Sequence, residues 1–227
     1  MKLNYLANSK PNPNPKETIA ERFNPSLGFG KYKPVAIQLL KKVTEILDEF
    51  EITYCIIAGT LLGQVRHNDF IPWDDDIDLL VDASILSKLG AIYQKWESHI
   101  TVINRENFLI KICFKNAIFP IKNPDNNRFL LNPLDKYNWP FIDLFVYTYA
   151  KNDPTIIHFF ARQWEAAQFF PTTPVEFVTL PRICIPHNPQ YFLNLNYGSD
   201  YMRVIRSPKW NHKKEHEIPD EVVVLLK

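Results

Sequence analysis

The sequence is poor in glycine and cysteine. It contains six glycines against 18 prolines among 227 residues. Because proline fixes φ and cannot continue a helix or a central strand, this balance predicts many stiff, extended connections. Cys55, Cys113 and Cys184 lie far apart in apolar runs, with no CxxC pair and no histidine at zinc spacing. We therefore expect reduced cysteines in the core.

Long hydrophobic runs and an excess of one charge are also missing. No run approaches the roughly 18 apolar residues of a membrane span, and residues 1–16 lack the apolar segment of a signal peptide. The 26 basic and 25 acidic side chains leave a formal charge of +1, so no broad basic surface for nucleic acid is indicated. We expect a soluble, cytoplasmic protein with no membrane span and no nucleic-acid partner.

Composition separates an arm from a domain. Residues 1–30 contain PNPNP and FNPSLGFG, whose prolines and asparagines disfavour regular elements, so we expect an N-terminal arm without chemistry. Residues 31–227 are expected to form a single domain, because 46% of the side chains are hydrophobic and can fill one core. The mixture of helical and strand patterns predicts an α+β fold.

The first predicted elements lead to an acidic segment. Apolar residues at intervals of three to four predict a helix from Pro34 to Phe50. The β-branched run 52–59 predicts a buried strand, after which Thr60 is expected to cap a short helix. Alternation over 75–82 predicts another strand.

The later predicted elements follow in chain order. They are a helix ending near Trp96, two strands joined by a tight turn at 99–105 and 108–115, a polar loop at 116–138, a strand at 141–149, a helix at 156–170, one or two short strands at 177–186, and a short helix ended by Gly198.

Four aspartates fall within five residues, in the segment WDDDID. Carboxylates this close repel one another unless a positive charge lies between them. On a strand, Asp76 and Asp78 point to one face and Asp75 to the other. A calcium loop is disfavoured, because it needs Gly and Glu where this chain has Leu79 and Ile85. A solvated acidic turn is the simpler alternative, but the apolar strand pattern around the carboxylates argues against it.

The remaining interpretation is a site for divalent cations. Carboxylates are the ligands that Mg²⁺ and Mn²⁺ prefer, and Asp143, in the later strand FIDLF, can supply a third beside Asp76 and Asp78. A pair of such ions activates an attacking hydroxyl and neutralises a phosphate. The pattern therefore favours phosphoryl transfer.

Phosphate-binding groups are expected near the carboxylates. Gly59 and Thr60 stand where a strand passes into a helix, and backbone N–H groups are free at such a turn. Arg66 and His67 follow before the aspartates, and Lys111 or Lys115 comes from the predicted strand pair. Each residue alone has an ordinary structural explanation, and it is their order along the chain that supports a site.

This order resembles a known family. A Gly-[Ser/Thr] turn, then D-x-D, then an isolated Asp on a later strand resembles the nucleotidyltransferase superfamily typified by DNA polymerase β. Within it, GTLLGQVRHNDFIPWDDDID, FIDLF and IPHNPQYFLNLNYGSDYM resemble the signature of the LicD family, which contains bacterial phosphocholine transferases and fukutin-related ribitol-phosphate transferases. The resemblance covers about residues 35–210. It implies a polymerase-β-type fold with a mixed sheet flanked by helices.

The resemblance also implies an activity. A CDP-activated donor would pass a phospho-alcohol, such as phosphocholine or an alditol phosphate, to a sugar hydroxyl of a glycan and release CMP. The implied site consists of Asp76, Asp78 and Asp143 as ligands of Mg²⁺ or Mn²⁺, with Asp143 alternatively assisting deprotonation of the acceptor, Gly59 and Thr60 as phosphate-binding residues, and Asp74 and Arg66 in support.

Two features depart from the family pattern. Asn68 and Asp69 stand where the family often has Gly-Gly, which makes the loop stiffer and adds a negative charge. The zinc-binding cysteines and the membrane anchor of the animal relatives are not apparent either. The first departure bears on substrate identity more than on catalysis, and the second implies a soluble catalytic domain.

Two alternatives stay open at this point. The chain could instead transfer a nucleotide from an NTP and release pyrophosphate, or it could be a catalytically inactive glycan-binding or scaffold protein on the same fold. The basic run at 207–217 is interpreted as a solvated tail, with contact to phosphate or acceptor as its alternative.

Overall fold

The computed structural model describes residues 5–6, 19–116, 119–121, 128–214, 216–218 and 222–226. The helices of these ranges are α1 (Ile19–Arg22), α2 (Lys33–Glu49), α3 (Ala58–His67), α4 (Ile85–Trp96) and α5 (Pro189–Tyr197), with 3₁₀ turns at Gly30–Tyr32 and Ala166–Gln168. The strands are β1 (Tyr5–Leu6), β2 (Tyr54–Ile56), β3 (Asp78–Asp82), β4 (Ile100–Arg105), β5 (Leu109–Phe114), β6 (Phe119–Pro120), β7 (Asn138–Trp139), β8 (Phe141–Ala150), β9 (Asp153–Phe159), β10 (Arg162–Glu165), β11 (Thr173–Phe177), β12 (Leu180–Ile185), β13 (Val204–Arg206), β14 (Trp210–Asn211), β15 (His216–Glu217) and β16 (Val223–Leu226).

A mixed sheet positions the acidic residues. Its strands run in the order β2-β3-β8-β5-β4, and the far end of β8 pairs with the hairpin β9–β10. β3 and β8 are parallel, whereas β2–β3, β5–β8 and β4–β5 are antiparallel. The register places Asp78 opposite Asp143, and Asp143 opposite Lys111. Three predicted site residues therefore lie side by side on neighbouring strands.

Helices flank this sheet. α2 packs against β5, β8 and β12, α3 against β3 and α5, and α4 against β4. The apolar face of α2 is buried, as its periodicity predicts. The structure is thus mixed α and β, with a mixed sheet flanked by helices, which confirms that part of the predicted fold. None of the helices in the described ranges combines the length and the apolarity needed to cross a membrane.

Most predicted elements are confirmed. The helices at 34–50 and 85–96, the hairpin at 99–115 and the strand at 141–149 appear as α2, α4, β4–β5 and β8. The short helix ends as predicted at Gly198, whose φ is 87°. All three cysteines are buried and free, as expected.

The predicted helix at 156–170 is wrong. β9 and β10 form an antiparallel hairpin there, closed by Phe160 and Ala161 with φ of 52° and 54°. Two-residue hairpin loops need such left-handed conformations, and Gly, Asn or Asp usually mark them in a sequence. Phe and Ala carry no such signal, so the apolar spacing favoured a helix.

Element boundaries near the acidic segment also differ from the prediction. β2 ends at Ile56 and α3 begins at Ala58, so Gly59 and Thr60 lie in the first turn of the helix, and Ile57 rather than Thr60 is the N-cap. The predicted strand at 75–82 begins only at Asp78. The residues before it form an irregular approach to the sheet.

The N-terminal arm and the polar loop contain short regular elements. The expectation that residues 1–30 lack them is wrong for β1 and α1, while residues 1–4 and 7–18 lie outside the described residues. In the loop predicted at 116–138, β6 pairs with β7, and residues 117–118 and 122–127 lie outside the described ranges.

Candidate active site

A cavity of about 510 Å³ opens beside the acidic segment. Gly59 from the first turn of α3 lines it, together with Asp74, Asp76 and Asp78. The opposite wall comes from residues 196–212, near the end of the chain. A concave site of this size accommodates a small molecule.

Two contacts from α3 position the carboxylates. The Thr60 hydroxyl accepts a hydrogen bond from the Asp78 backbone N–H at 2.9 Å, which fixes the start of β3 against the helix. Gly59 makes room for a neighbour, because a Cβ added there would lie 2.3 Å from Oδ2 of Asp74. The glycine therefore permits close approach of a carboxylate, where we had predicted a phosphate.

Asp143 and Lys111 form a buried ion pair behind the cavity. The Lys111 ammonium donates to both carboxylate oxygens, at 2.7 and 2.8 Å, and the two side chains are 6% and 7% exposed. The ammonium also lies 4.1 Å from the centre of the Phe141 ring. Burial raises the pKa of Asp143, and Lys111 partly opposes that rise. Lys111, predicted to bind phosphate, is here the partner of Asp143.

His212 contacts the middle aspartate. Its Nε2 lies 3.0 Å from Oδ2 of Asp76, and its ring packs edge-on against Phe141. Burial alone would lower the pKa of His212, but Asp76, Asp75 and Asp143 raise it to about 10. Burial likewise disfavours the ionised form of Asp76, yet the contact with His212 outweighs it and lowers the pKa of Asp76. The two side chains form an ion pair.

The other two carboxyl groups on the cavity, those of Asp74 and Asp78, are in surroundings that disfavour their ionised forms. Burial raises the pKa of both Asp74 and Asp78 well above the ordinary value, and repulsion from Asp76 raises them further. This is the electrostatic cost that the crowded sequence predicts. A bound cation would offset it.

The chemistry of the cluster fits a hard divalent cation. Asp76 and Asp78 offer oxygen ligands of the type that Mg²⁺ and Mn²⁺ prefer, and Asp143 lies opposite Asp78 in the sheet. Within the described ranges, however, no three His, Cys, Asp or Glu side chains are already arranged to hold a metal ion. Asp76 and Asp143 contact His212 and Lys111 instead. The metal-ligand set thus stays a prediction.

Arg66 joins α3 to the far wall. Its Nη1 donates to the carbonyl oxygens of Tyr201 and Val204, each at 3.0 Å, and its Nε donates to His67. Burial lowers the pKa of the guanidinium, although Asp74 and other neighbours favour the charged form. Arg66 lines the cavity, and its predicted contact with phosphate stays a prediction. Its described bonds are to two backbone carbonyl oxygens and to the His67 ring.

The structure brings most of the predicted site together. Of the eight predicted residues, all of which it describes, those on the cavity wall are Gly59, Arg66, Asp74, Asp76 and Asp78, and those behind it are Thr60, Lys111 and Asp143. Asp75 is absent from the cavity wall, as predicted, although it precedes β3 and strand alternation is therefore not the reason.

Sequence reasoning missed the far wall. The lining residues include Tyr197, Lys209, Trp210 and His212, so the interpretation of residues 207–217 as a solvated tail is wrong for 207–210 and 212. The basic composition of residues 207–217 was the only sign in the sequence that this segment contributes to the site. No local pattern predicts that the chain returns to the acidic segment there.

Comparison with known proteins places the acidic segment in a family. Residues 51–188 match the family model described as LicD/FKTN/FKRP, nucleotidyltransferase domain. The matched range covers more than half of the chain and contains every predicted site residue. His212 and the rest of residues 189–227 lie beyond it.

Individual relatives agree with this match. The chain is 27% identical to the lipopolysaccharide cholinephosphotransferase LicD of Haemophilus influenzae over 125 residues, covering 55% of this chain and 46% of that protein. It is 33% identical to an uncharacterised protein of Rickettsia prowazekii over 112 residues, covering 48% and 42%. It is 26% identical to the ribitol 5-phosphate transferase FKRP of Mus musculus over 176 residues, covering 74% and 31%. The chain spans less than half the length of each of these relatives. It belongs to the LicD/FKTN/FKRP family of nucleotidyltransferase domains.

Proposed function

We propose that the protein transfers a phospho-alcohol from a CDP-activated donor to a sugar hydroxyl of a glycan, with release of CMP, and that it requires Mg²⁺ or Mn²⁺. The alcohol would be choline or an alditol such as ribitol. Relatives named as a cholinephosphotransferase and a ribitol 5-phosphate transferase support transfer of a phospho-alcohol in general.

The observation that carries this proposal is the convergence of three carboxylates on one cavity. Asp74, Asp76 and Asp78 line the same wall. His212 contacts Asp76, whereas burial and repulsion from Asp76 disfavour the ionised forms of Asp74 and Asp78. An acidic cluster without a binding role would be expected at the solvent-exposed surface, whereas Asp78 is only 7% exposed. The arrangement therefore supports a site that is completed by a cation and an anionic substrate.

The transfer is a single displacement at phosphorus. The acceptor hydroxyl oxygen forms a bond to the phosphorus that carries the alcohol, and the bond from that phosphorus to the bridging oxygen breaks. CMP leaves with the bridging oxygen, and the hydroxyl proton passes to a carboxylate of the cluster. When bound, the divalent ion supplies charge neutralisation for the diphosphate and lowers the pKa of the hydroxyl.

The position of each residue in the site suggests its role in the transfer. Asp76 and Asp78 would hold the ion, and Asp143, fixed by Lys111, would complete the ligands or take the hydroxyl proton. Arg66 lies on the wall where the diphosphate charge would be bound. The remaining cavity volume, facing residues 196–212, would accommodate the rest of the donor or the acceptor.

The test is ³¹P NMR of the purified protein with Mg²⁺ or Mn²⁺ and CDP-choline, CDP-ribitol, CDP-glycerol or CTP, each with and without lipopolysaccharide as a glycan acceptor. We expect CMP and a new phosphodiester resonance from one CDP-alcohol. Asp76→Asn should abolish turnover while the protein still folds. Asp48→Asn, on the exposed side of α2, is the matched control and should retain turnover.

Other outcomes identify the alternatives. Pyrophosphate formed from CTP would indicate a nucleotidyltransferase that uses an NTP. Full activity in Asp76→Asn would contradict the assignment of the cavity as the site of chemistry. Donor binding without turnover under every condition would favour a catalytically inactive binding protein.

A further inference from the structure

Residues 206–213, which we call the strap, cross the acidic segment on the cavity side. Asp75 and Asp76, adjacent in the chain, both contact it. The Asp75 carboxylate accepts from the backbone N–H of Lys213 at 3.4 Å and from the backbone N–H of His212. The Asp76 carboxylate contacts the imidazole of His212 at 3.0 Å. The acidic segment therefore binds both the backbone and a side chain of the strap.

The strap is held at its ends by groups other than the imidazole. The Lys213 ammonium donates to the carbonyl oxygens of Ser26, Leu27 and Gly28, at 3.2, 2.9 and 2.5 Å. It also lies 4.7 Å from the centre of the Trp139 ring. These contacts, with the Asp75 bonds, fix the backbone at His212 without the help of its side chain.

The other end of the strap is hydrogen-bonded to the start of the acidic segment. The Trp73 indole N–H donates to the Arg206 carbonyl oxygen at 3.1 Å. Trp73 directly precedes the aspartates, so this bond joins the strap to the acidic segment at a second position. The position of the imidazole relative to Asp76 is therefore built into the fold.

Asp76 has reason to need such a partner. It precedes β3, so no sheet hydrogen bond fixes its backbone in the way that the Thr60 hydroxyl and the β3–β8 ladder fix Asp78. Carboxylates that bind a cation are commonly oriented by an outer hydrogen bond, and loss of that bond typically costs about 10- to 100-fold in metal affinity or activity.

We propose that His212 is a positioning residue of the active site, whose Nε2–H holds the Asp76 carboxylate in the orientation that binds the divalent cation. The inference rests on the cation requirement of the proposed function, and it adds a residue from outside the range that matches the family. It also gives the strap a role in the site beyond forming its wall.

A competing role for His212 predicts the opposite change in cation affinity. If the imidazole merely occupied the place of the cation on Asp76, removing it would free the carboxylate and tighten cation binding. A positioning role predicts weaker binding. The direction of the change therefore decides between the two.

The experiment measures Mn²⁺ affinity of the full chain by EPR of the free ion, with no donor present. His212→Ala is expected to weaken binding by about 10- to 100-fold. His212→Gln keeps a donor N–H near the position of Nε2 and is expected to retain most of the affinity. His99→Ala and His99→Gln, at an exposed histidine that does not line the described cavity, are matched controls and should bind as the wild type does.

Hydrogen exchange of residues 206–213 is the second readout. We expect the strap amides to stay protected in His212→Ala, because Asp75 and Lys213 still hold the backbone. Unchanged or tighter Mn²⁺ binding in His212→Ala would overturn the proposal. So would equal weakening in the Ala and Gln variants together with loss of strap protection, which indicates a purely structural role.

The two proposals fail separately. If wild-type protein binds Mn²⁺ and responds to His212→Ala as expected but turns over no CDP-alcohol, the proposed reaction is wrong and the positioning role stands. If wild-type protein binds no Mn²⁺ in the absence of donor, the positioning role is contradicted, whereas the proposed reaction is still decided by turnover of a CDP-alcohol.

Discussion

Lys111 donates hydrogen bonds to both carboxylate oxygens of Asp143, and the two residues are direct partners across β5 and β8. On its other side Asp143 is the partner of Asp78 across β3 and β8. A fixed positive charge therefore stands at one end of a row of two carboxylates. The sheet register alone brings these residues together.

Lys111→Met is expected to destabilise the protein by about 3–5 kcal/mol, because removal of one member of a buried ion pair leaves the other charge unpaired. The pair is almost inaccessible to water, at 6% and 7% exposure, so solvent cannot replace the ammonium. Urea unfolding followed by circular dichroism measures the loss.

The double variant Lys111→Met with Asp143→Asn is the control for this prediction. It removes the uncompensated carboxylate and should recover a large part of the lost stability. A double variant as unstable as the sum of the two single variants would show that the pair is not coupled.

Asp78→Asn is expected to raise the melting temperature of the metal-free protein by roughly 2–4 °C, which corresponds to about 1 kcal/mol. The substitution removes a carboxyl group whose ionised form is disfavoured by burial and by the neighbouring Asp76, Asp143 and Asp74, and the bond between its backbone N–H and Thr60 is kept. Thermal unfolding with and without Mn²⁺ is the measurement.

The same variant should lose the stabilisation that Mn²⁺ gives the wild type, since a carboxamide is a poorer ligand for this ion. Asp48→Asn, exposed on α2, should change neither result. A lower melting temperature for metal-free Asp78→Asn would contradict the view that the cluster is under charge repulsion.

The sequence predicted the acidic side of the site well, for physical reasons. Asp76 and Asp78 line one cavity as predicted, although Asp76 precedes β3 and strand periodicity does not place it. The third carboxylate, in FIDLF, lies in the same sheet as Asp78. Gly59 was identified for its lack of a side chain, although the neighbour that approaches it is Asp74. Local sequence patterns are enough to predict site residues that come from one or two neighbouring strands.

The sequence could not predict the far wall or the β9–β10 hairpin. His212 reaches Asp76 from 136 residues away along the chain, through contacts that no local pattern records. The hairpin turn uses Phe160 and Ala161 in left-handed conformations that their side chains disfavour, so tertiary packing overrides local propensity there. Long-range closure and packing of this kind become visible only in three dimensions.

Arg66→Met is expected to loosen the far wall of the cavity. The guanidinium holds the carbonyl oxygens of Tyr201 and Val204, and a methionine leaves both without that donor. We expect faster hydrogen exchange in residues 201–206 and a KM for the donor raised about tenfold, in line with roughly 1.4 kcal/mol for lost charged hydrogen bonds.

Arg162→Met is the matched control, because this arginine is exposed on β10 and does not line the described cavity. It should leave exchange and KM unchanged. Unaltered exchange at 201–206 in Arg66→Met would show that the wall is held by other contacts.

Gly59→Ala is expected to lower turnover by about 10- to 100-fold with little loss of stability, because a small displacement of a site group is enough to impair catalysis. The new methyl group would lie 2.3 Å from Oδ2 of Asp74, so this carboxylate must move, while the helical position itself accepts alanine.

Gly90→Ala is the matched control for Gly59→Ala. Gly90 lies in α4, where an added Cβ meets nothing within 4 Å, so the substitution should raise stability by about 0.5–1 kcal/mol and leave turnover unchanged. Rates of CMP release and urea unfolding of both variants check the pair. Normal turnover in Gly59→Ala would mean that the position of Asp74 does not matter for the reaction.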